Sequence, residues 1–427
     1  MTIRGAFATT DITPAIGAPI PGDFTPRISI GIREPLKARA VVLDNGKELF
    51  AIVGVDSVSI TNETVAEARK LICGNIKVFS PRQILISASH THSGGPANSV
   101  LGTEIDLDYC HTIAVKISEA VEQAWREREV GSMACVSGEC PGWAFNRRWV
   151  QKDGSHRTFP VKGSPDNICP AGPTDSEIKL IAFRDGEKNI KGMIGNFTCH
   201  STVEMKNQFS PDFCAFWQKS LQKIYGEDFI LVFLNGACGD VTQIDYSNLN
   251  QDVKIEEMGA ALAKASENAL RDAVFSDQII LAHRYQDCKV PLRHPDAAML
   301  ERDKKLLASG IEPWTPEMWH ARDRQLLEKQ QGSLNELSCS VDIYHVGDFY
   351  ICAAPWQPFC EYGLRLKEGQ PGEILIAMMS NGNIGYVPCS DAFSFGGYEA
   401  ILCRGSHLKP AAGDIILRKM LDLLDLF

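Results

Sequence analysis

The chain has 427 residues, 44% hydrophobic and 22% charged, with a formal net charge of −10. That composition suits a soluble globular enzyme, and the acidic balance argues against a nucleic-acid partner, which would call for a basic excess. No run of about 18 apolar residues occurs, so no transmembrane segment is expected. The 14 cysteines include no Cys-x-x-Cys pair, and Met1-Thr2-Ile3-Arg4 begins no basic-then-apolar leader. Free thiols in a cytoplasmic protein are the expectation.

The first forty residues are rich in Gly and Pro and read as a loop-rich opening that wraps one end of a site. Ala38 to Leu43 and Leu49 to Val55 read as strands joined by the Asn45-Gly46 turn, a hairpin signal. Thr61 to Ile72 has helical period, with Thr61 or Asn62 as its cap. Gln83 to Ala88 reads as a short buried strand bounded by Pro81 and Gly94-Gly95-Pro96. If that strand continues, alternation sends His90 and His92 to the same side. Two imidazoles so placed suit a metal or proton-transfer site, or else two polar residues capping a core strand.

Ile105 to Arg128 then reads as an amphipathic helix with Ile113, Ile117, Ala120 and Val121 inward. A strand is expected near Ser132 to Ser137, and the polar stretch from Val150 to Thr174 reads as a long surface loop. Glu177 to Arg184 and Ile190 to Phe197 are strands, the second running into Cys199-His200. Phe213 to Ile224 is a helix, and Phe229 to Leu234 is a strand that ends in the turn from Asn235 to Thr242. A long helix is expected over Val253 to Val274 and a strand over Gln278 to Pro291. The segment of about Pro295 to Gln331 reads as a solvated helical pair, an insertion or cover without chemistry.

Cys339 to His345 and Phe349 to Ala354 pair around Gly347-Asp348, and Pro358 to Gln370 holds a short helix. A strand (Ile374 to Met379), a loop-rich stretch (Asn381 to Gly397) and a helix (Ala411 to Phe427) complete the chain. No internal repeat stands out. The predicted fold is α/β, with mixed sheets flanked by helices in one large domain over residues 1–427. Three strands end in polar clusters, at His90 and His92, at His200 and at Asp240, and ligands of open α/β sheets bind beyond strand ends.

Taken in order, Ser89-His90-Thr91-His92-Ser93-Gly94, Asn146-Arg147, Asn196-Phe197-Thr198-Cys199-His200-Ser201-Thr202, Asp212-Phe213 and Asn235-Gly236-Ala237-Cys238-Gly239-Asp240-Val241-Thr242 resemble the catalytic domain of the neutral/alkaline (non-lysosomal) ceramidases. Asp11-Ile12-Thr13-Pro14 and Pro35-Leu36 with Ala38-Arg39-Ala40 match the start of that domain. The resemblance implies a zinc-dependent amidohydrolase of lipid metabolism that takes a small-molecule substrate.

Carried over position by position, it makes His90, His200 and Tyr386 ligands of Zn2+ and His92 a neighbouring catalytic histidine. Arg147 and Tyr398 become donors to the oxyanion, with aromatic packing as the other reading of both tyrosines and an ion pair as that of Arg147. Asp240 would orient a histidine or accept a water proton, or simply belong to a tight turn.

Three departures are visible. Gln357 stands where the family has a glutamate ligand, with Glu361 one helical turn further on. Thr242 stands where it has a serine, and the chain is expected to lack both a secretion signal and the family's C-terminal β-sandwich. Besides the amidohydrolase, two functions remain open: a metal enzyme of this fold acting on a small polar or sugar-derived substrate, and a non-catalytic binding protein whose metal site is degraded at Gln357.

Overall fold

The computed structural model describes residues 2–310, 315–370 and 372–427. Its main sheets repeat one pattern of connections three times. In the first unit β1 (Arg4–Asp11), β2 (Lys37–Asp44) and β3 (Leu49–Val55) run antiparallel. Helix α1 (Asn62–Asn75) then carries the chain to β4 (Ile84–Ala88), which pairs parallel with β3, and α2 (Leu107–Glu127) packs on α1.

The second unit repeats this with β5 (Ser132–Glu139), β6 (Glu177–Arg184) and β7 (Ile190–Phe197) antiparallel. Helix α3 (Phe213–Tyr225) crosses to the parallel strand β8 (Ile230–Asn235), and α4 (Ile255–Leu270) packs on α3. In the third unit, β9 (Leu281–Pro291) is followed by the helices α5 (Ala297–Leu307) and α6 (Pro316–Gln331). Then come β10 (Glu336–Val346), β11 (Phe349–Ala353), α7 (Cys360–Lys367), the parallel strand β12 (Glu373–Ala377) and α8 (Ala412–Leu424), which packs on α7.

The three sheets share one core. Val41, Phe50 and Ile52 of the first meet Ile181, Ile194 and Val232 of the second and Tyr344, Ile351 and Leu375 of the third. The opposite faces take the helices. Because both faces are covered, β2 and β3 are buried almost throughout and read as continuous apolar runs. The turn between them is fixed by the Asn45 side chain, which accepts from the backbone of Lys47 and Glu48. Helix α1 starts where the Thr61 hydroxyl accepts from the Thr64 N–H.

The mixed α/β fold is as the sequence predicts, and most elements lie within a few residues of their expected places. Four expectations are corrected. The loop-rich opening contains β1, whose small Ala6 and Ala8 give a weak strand signal although the strand pairs along its whole length with β2. The supposed loop of 150–174 contains a small sheet of Arg148–Gln151, His156–Thr158 and Asn167–Pro170, held by backbone pairing of short polar strands. The helix predicted over 253–274 is confined to Ile255–Leu270. A repeat exists after all, in strand pairing and connection rather than in residue identity. Within the cover segment, residues 311–314 lie outside the described residues.

This repetition positions the site. In each unit the first connection is long: residues 12–36, 140–176 and 292–335. All three leave from the side on which the third and fourth strands end, and all three contribute walls to one cavity there.

Candidate metal and catalytic site

Strand ends from the three units supply the central side chains. His90 and His92 follow β4, His200 follows β7, Gln357 follows β11 and Tyr386 follows β12. His90 reaches the site through a backbone bend, since its φ of 65° lies in the left-handed region. Strand alternation therefore does not align it with His92. The turn does.

The three histidines share one tautomer. Nδ1 of His90 lies 2.7 Å from the Val58 carbonyl, that of His92 3.0 Å from the Gly22 carbonyl and that of His200 2.9 Å from the Val241 carbonyl. A carbonyl only accepts, so each Nδ1 carries the proton and each Nε2 keeps a lone pair. The contact at His92 requires a glycine: Gly22 has φ 100°, and a Cβ there would sit 2.5 Å from the imidazole nitrogen. One ring nitrogen from each histidine lies within 4.8 Å of those of the other two. The buried Nε2 of His92 has no partner among the described residues.

The remaining lone pairs meet protein donors. The Gln357 side-chain nitrogen lies 2.8 Å from Nε2 of His90 and 3.2 Å from Nε2 of His200. Nη1 of Arg147 lies 2.9 Å from the same nitrogen of His200, while Nη2 donates to the Tyr386 hydroxyl at 3.0 Å. The ring of Tyr398 lies edge-on to Tyr386, 5.7 Å between centroids.

Behind this layer, Glu399 is fully buried and bridges Arg147 and Arg148 at 2.8 Å each, with a third bond from the Thr158 hydroxyl at 2.7 Å. Glu399 was not singled out in the sequence. The signal was present in two adjacent arginines needing a counter-charge and an acid next to a candidate tyrosine. Arg148 is buried, bonded to Glu399 and to the Gly396 carbonyl.

Burial governs the protonation states. It holds His90 well below its ordinary pKa, with help from the neighbouring His92, and lowers His92 to about 4. His200 is depressed by burial and then by the charge of Arg147. Burial pushes Tyr386 and Tyr398 up, so both hydroxyls are neutral donors. Burial works against the Arg147 guanidinium, but Tyr386 and Glu399 outweigh it and keep the group charged. Burial likewise pushes Glu399 up, and the two guanidiniums outweigh it and hold the carboxyl below its usual range.

The donor set fits a divalent cation. Three imidazoles present Nε2 lone pairs inward with each Nδ1–H anchored on a carbonyl, the outer support that orients metal ligands. The unpartnered His92 Nε2 is a buried polar atom awaiting a ligand. Gln357 faces the cluster, and turning its amide about the last side-chain bond presents oxygen instead of nitrogen. Glu361 is exposed and lies away from the histidines, so it does not replace the family's glutamate.

Of the other sequence candidates, Thr242 lines the same cavity as His92, Arg147, His200, Tyr386 and Tyr398. Asp240 does not face it. Its carboxylate accepts from the Cys360 N–H at 2.7 Å and from the Asn146 amide at 2.7 Å, which fixes the segment carrying Arg147 instead of orienting a histidine. Burial raises that carboxyl to about 6. The cover segment is not remote from the site, because Pro316, Glu317 and His320 line the cavity wall.

The cavity above the cluster has a volume of about 1130 Å³, and a second of about 350 Å³ adjoins it. Among the described residues no helix is long and apolar enough to cross a membrane. No protein-family model matches the chain, and no curated protein sequence does. Solved structures do match. Neutral ceramidase from Pseudomonas aeruginosa aligns at 15% identity over 100% of this chain and 75% of its own, with a TM-score of 0.73. A ceramidase complexed with C2 aligns at 16% identity over 99% of this chain and 75% of its own, also with a TM-score of 0.73. From end to end, this chain has the fold of the neutral ceramidases.

Proposed function

We propose that the protein is a metal-dependent amide hydrolase of the ceramidase type, acting through zinc on a small N-acyl substrate, with residues 1–427 forming one catalytic unit. The observation that carries this reading is the convergence of His90, His200, Gln357 and Tyr386 around one point, with Arg147 beside them. His90, His200 and Tyr386 would hold the cation, with Gln357 through its amide oxygen. His92 would stand beside them with its Nε2 free of the cation. When bound, the cation supplies a polarised carbonyl and a water of lowered pKa.

The remaining roles belong to the chain itself. Arg147 and the Tyr398 hydroxyl hold the oxygen on which negative charge develops, and such a donor contributes about 3 kcal/mol to the barrier. His92 takes a proton at its free Nε2 and passes it to the departing nitrogen. Over the reaction, the water oxygen bonds to the carbonyl carbon, the C–N bond breaks and one water proton ends on the amine. Thr242 borders the substrate, Asp240 positions the segment bearing Arg147, and Glu399 positions Arg147 itself.

All fourteen cysteines are unpaired, with Cys169 alone exposed, which supports a reducing, cytoplasmic setting. The test is metal analysis of protein purified without chelator, combined with a panel of N-acyl amines and glycosides. One bound zinc per chain and amine release support the reading. Protein that takes up no divalent cation and still binds a small molecule would point to the binding-protein alternative that Gln357 favours.

A further inference from the structure

Strands β9 and β10 pair antiparallel along their whole lengths, from Leu281 opposite Val346 to Pro291 opposite Glu336. The cover connection, residues 292–335, leaves from one end of this ladder and returns to it. Close below that end, Cys288 stands directly opposite Cys339, and their sulfurs lie 3.2 Å apart. Among the described residues no other two cysteine sulfurs are in hydrogen-bonding contact.

Direct partners in an antiparallel ladder have Cα atoms about 4.5–5.5 Å apart. A disulfide spans about 4.4–6.8 Å between Cα atoms, so side-chain rotation alone brings these two sulfurs to bonding distance. Cys288 is buried, whereas Cys339 is half-buried and lines a surface cavity of about 370 Å³ with Arg82, Asp287, Ser338 and Ser340. That cavity shares no lining residue with the two at the histidine cluster, so the pair is open to small solutes and separate from the metal site. A hydrogen bond from the Cys339 thiol holds the Cys288 sulfur below its ordinary pKa, although burial opposes this, and a thiolate is the reactive form.

We propose that Cys288 and Cys339 are a site of reversible oxidation, at which hydrogen peroxide closes a disulfide between β9 and β10 at the root of the cover. The Cys288 sulfur bonds to one peroxide oxygen as the O–O bond breaks, and the other oxygen leaves as water with the Cys288 proton. The Cys339 sulfur then bonds to Cys288 and displaces the oxygen, which leaves as a second water with the Cys339 proton. The two thiols lose two electrons and the peroxide gains them. A small dithiol reverses the change by exchange. In a reducing compartment such a bond is transient and reports an oxidant. The closed bond ties together the two stems from which Pro316, Glu317 and His320 are carried to the wall of the larger cavity.

The test treats the reduced full-length protein with hydrogen peroxide, blocks the remaining thiols under denaturing conditions and maps the peptides by mass spectrometry. A Cys288–Cys339 cross-linked peptide should form at least tenfold faster than the exposed Cys169 is oxidised, and dithiothreitol should remove it. In the oxidised protein, amide exchange over residues 285–291 and 336–342 should slow at least threefold, because opening of the stems is then restrained. Cys288→Ser and Cys339→Ser should each lose both effects, and mapping of the parent decides by itself if neither variant folds. Recovery of both cysteines as blocked thiols after Cys169 is oxidised, or their conversion to sulfinic acid without a cross-link, overturns the site. A cross-link that leaves exchange in both stems unchanged overturns its hold on the cover.

Discussion

Nη1 of Arg147 stands 2.9 Å from Nε2 of His200, on the one lone pair that this imidazole has left for a metal ion. A lone pair serves one partner at a time, so a bound cation must displace the guanidinium from His200. The displaced Nη1 is then free to meet the substrate oxygen. Like charges a few ångströms apart also repel by several kcal/mol in a partly shielded site. Arg147→Met, which keeps bulk and removes charge, should therefore tighten zinc binding at least tenfold in a chelator competition while lowering turnover by about 10²-fold. Tight binding with full turnover would remove Arg147 from the oxyanion, and unchanged affinity would remove it from the competition.

Gln357 gives the second expectation. It brings N–H donors to within 2.8 and 3.2 Å of two imidazole lone pairs and contributes no charge. Gln357→Glu removes those donors and adds a carboxylate, a far better partner for a divalent cation. The parent should lose its metal readily to a chelator, and the variant should hold it at least tenfold more tightly. Equal loss from both proteins would show that residue 357 is not a ligand.

A third expectation concerns Glu399, whose carboxylate is shared by Arg147 and Arg148. Glu399→Gln leaves two buried guanidiniums without a counter-charge, and breaking a buried pair in this way costs about 3–5 kcal/mol. Denaturant melts should register that loss. Because Glu399 acts through Arg147, turnover should fall with little change in KM, whereas a purely structural residue would lower the active fraction alone.

Stability should also report the state of His92, whose pKa is lowered by burial from 6.5 to about 4. Between those values the unfolded chain binds a proton at this residue that the folded chain does not. Stability from this group is thus complete above pH 6.5 and falls as the pH drops, by about 1.4 kcal/mol per pH unit. His92→Asn, measured metal-free beside the parent, should reduce the slope of stability against pH by that amount between pH 6.5 and 4. Parallel curves would mean that His92 is already charged in the folded protein.

What the sequence made legible follows from the reach of each signal. β6 and β7 were read at their observed ends because alternation and apolarity are local. His90, His200, Gln357 and Tyr386 were found on motifs, and their meeting is a product of the threefold connection pattern, which leaves no repeated residues behind. The small sheet of 148–170 escaped because its strands are short, polar and held by backbone pairing. Glu399 escaped because a buried acid is identified by its partners, and those lie about 250 positions away in the chain. The cover was seen as a helical pair, but its charged outer face concealed Trp319 and His320, which pack edge-on against Phe24 beneath it.

Two arginines share one carboxylate behind the cluster, and of these three side chains Arg147 is the one that also borders the larger cavity. The centre is thus poised for an anion before any substrate arrives. A carboxylate released at that spot would linger. Accumulating acid, more than accumulating amine, should then slow the protein, and acetate or formate in an assay buffer should act as a competitive inhibitor whose grip loosens when Arg147 is replaced by methionine.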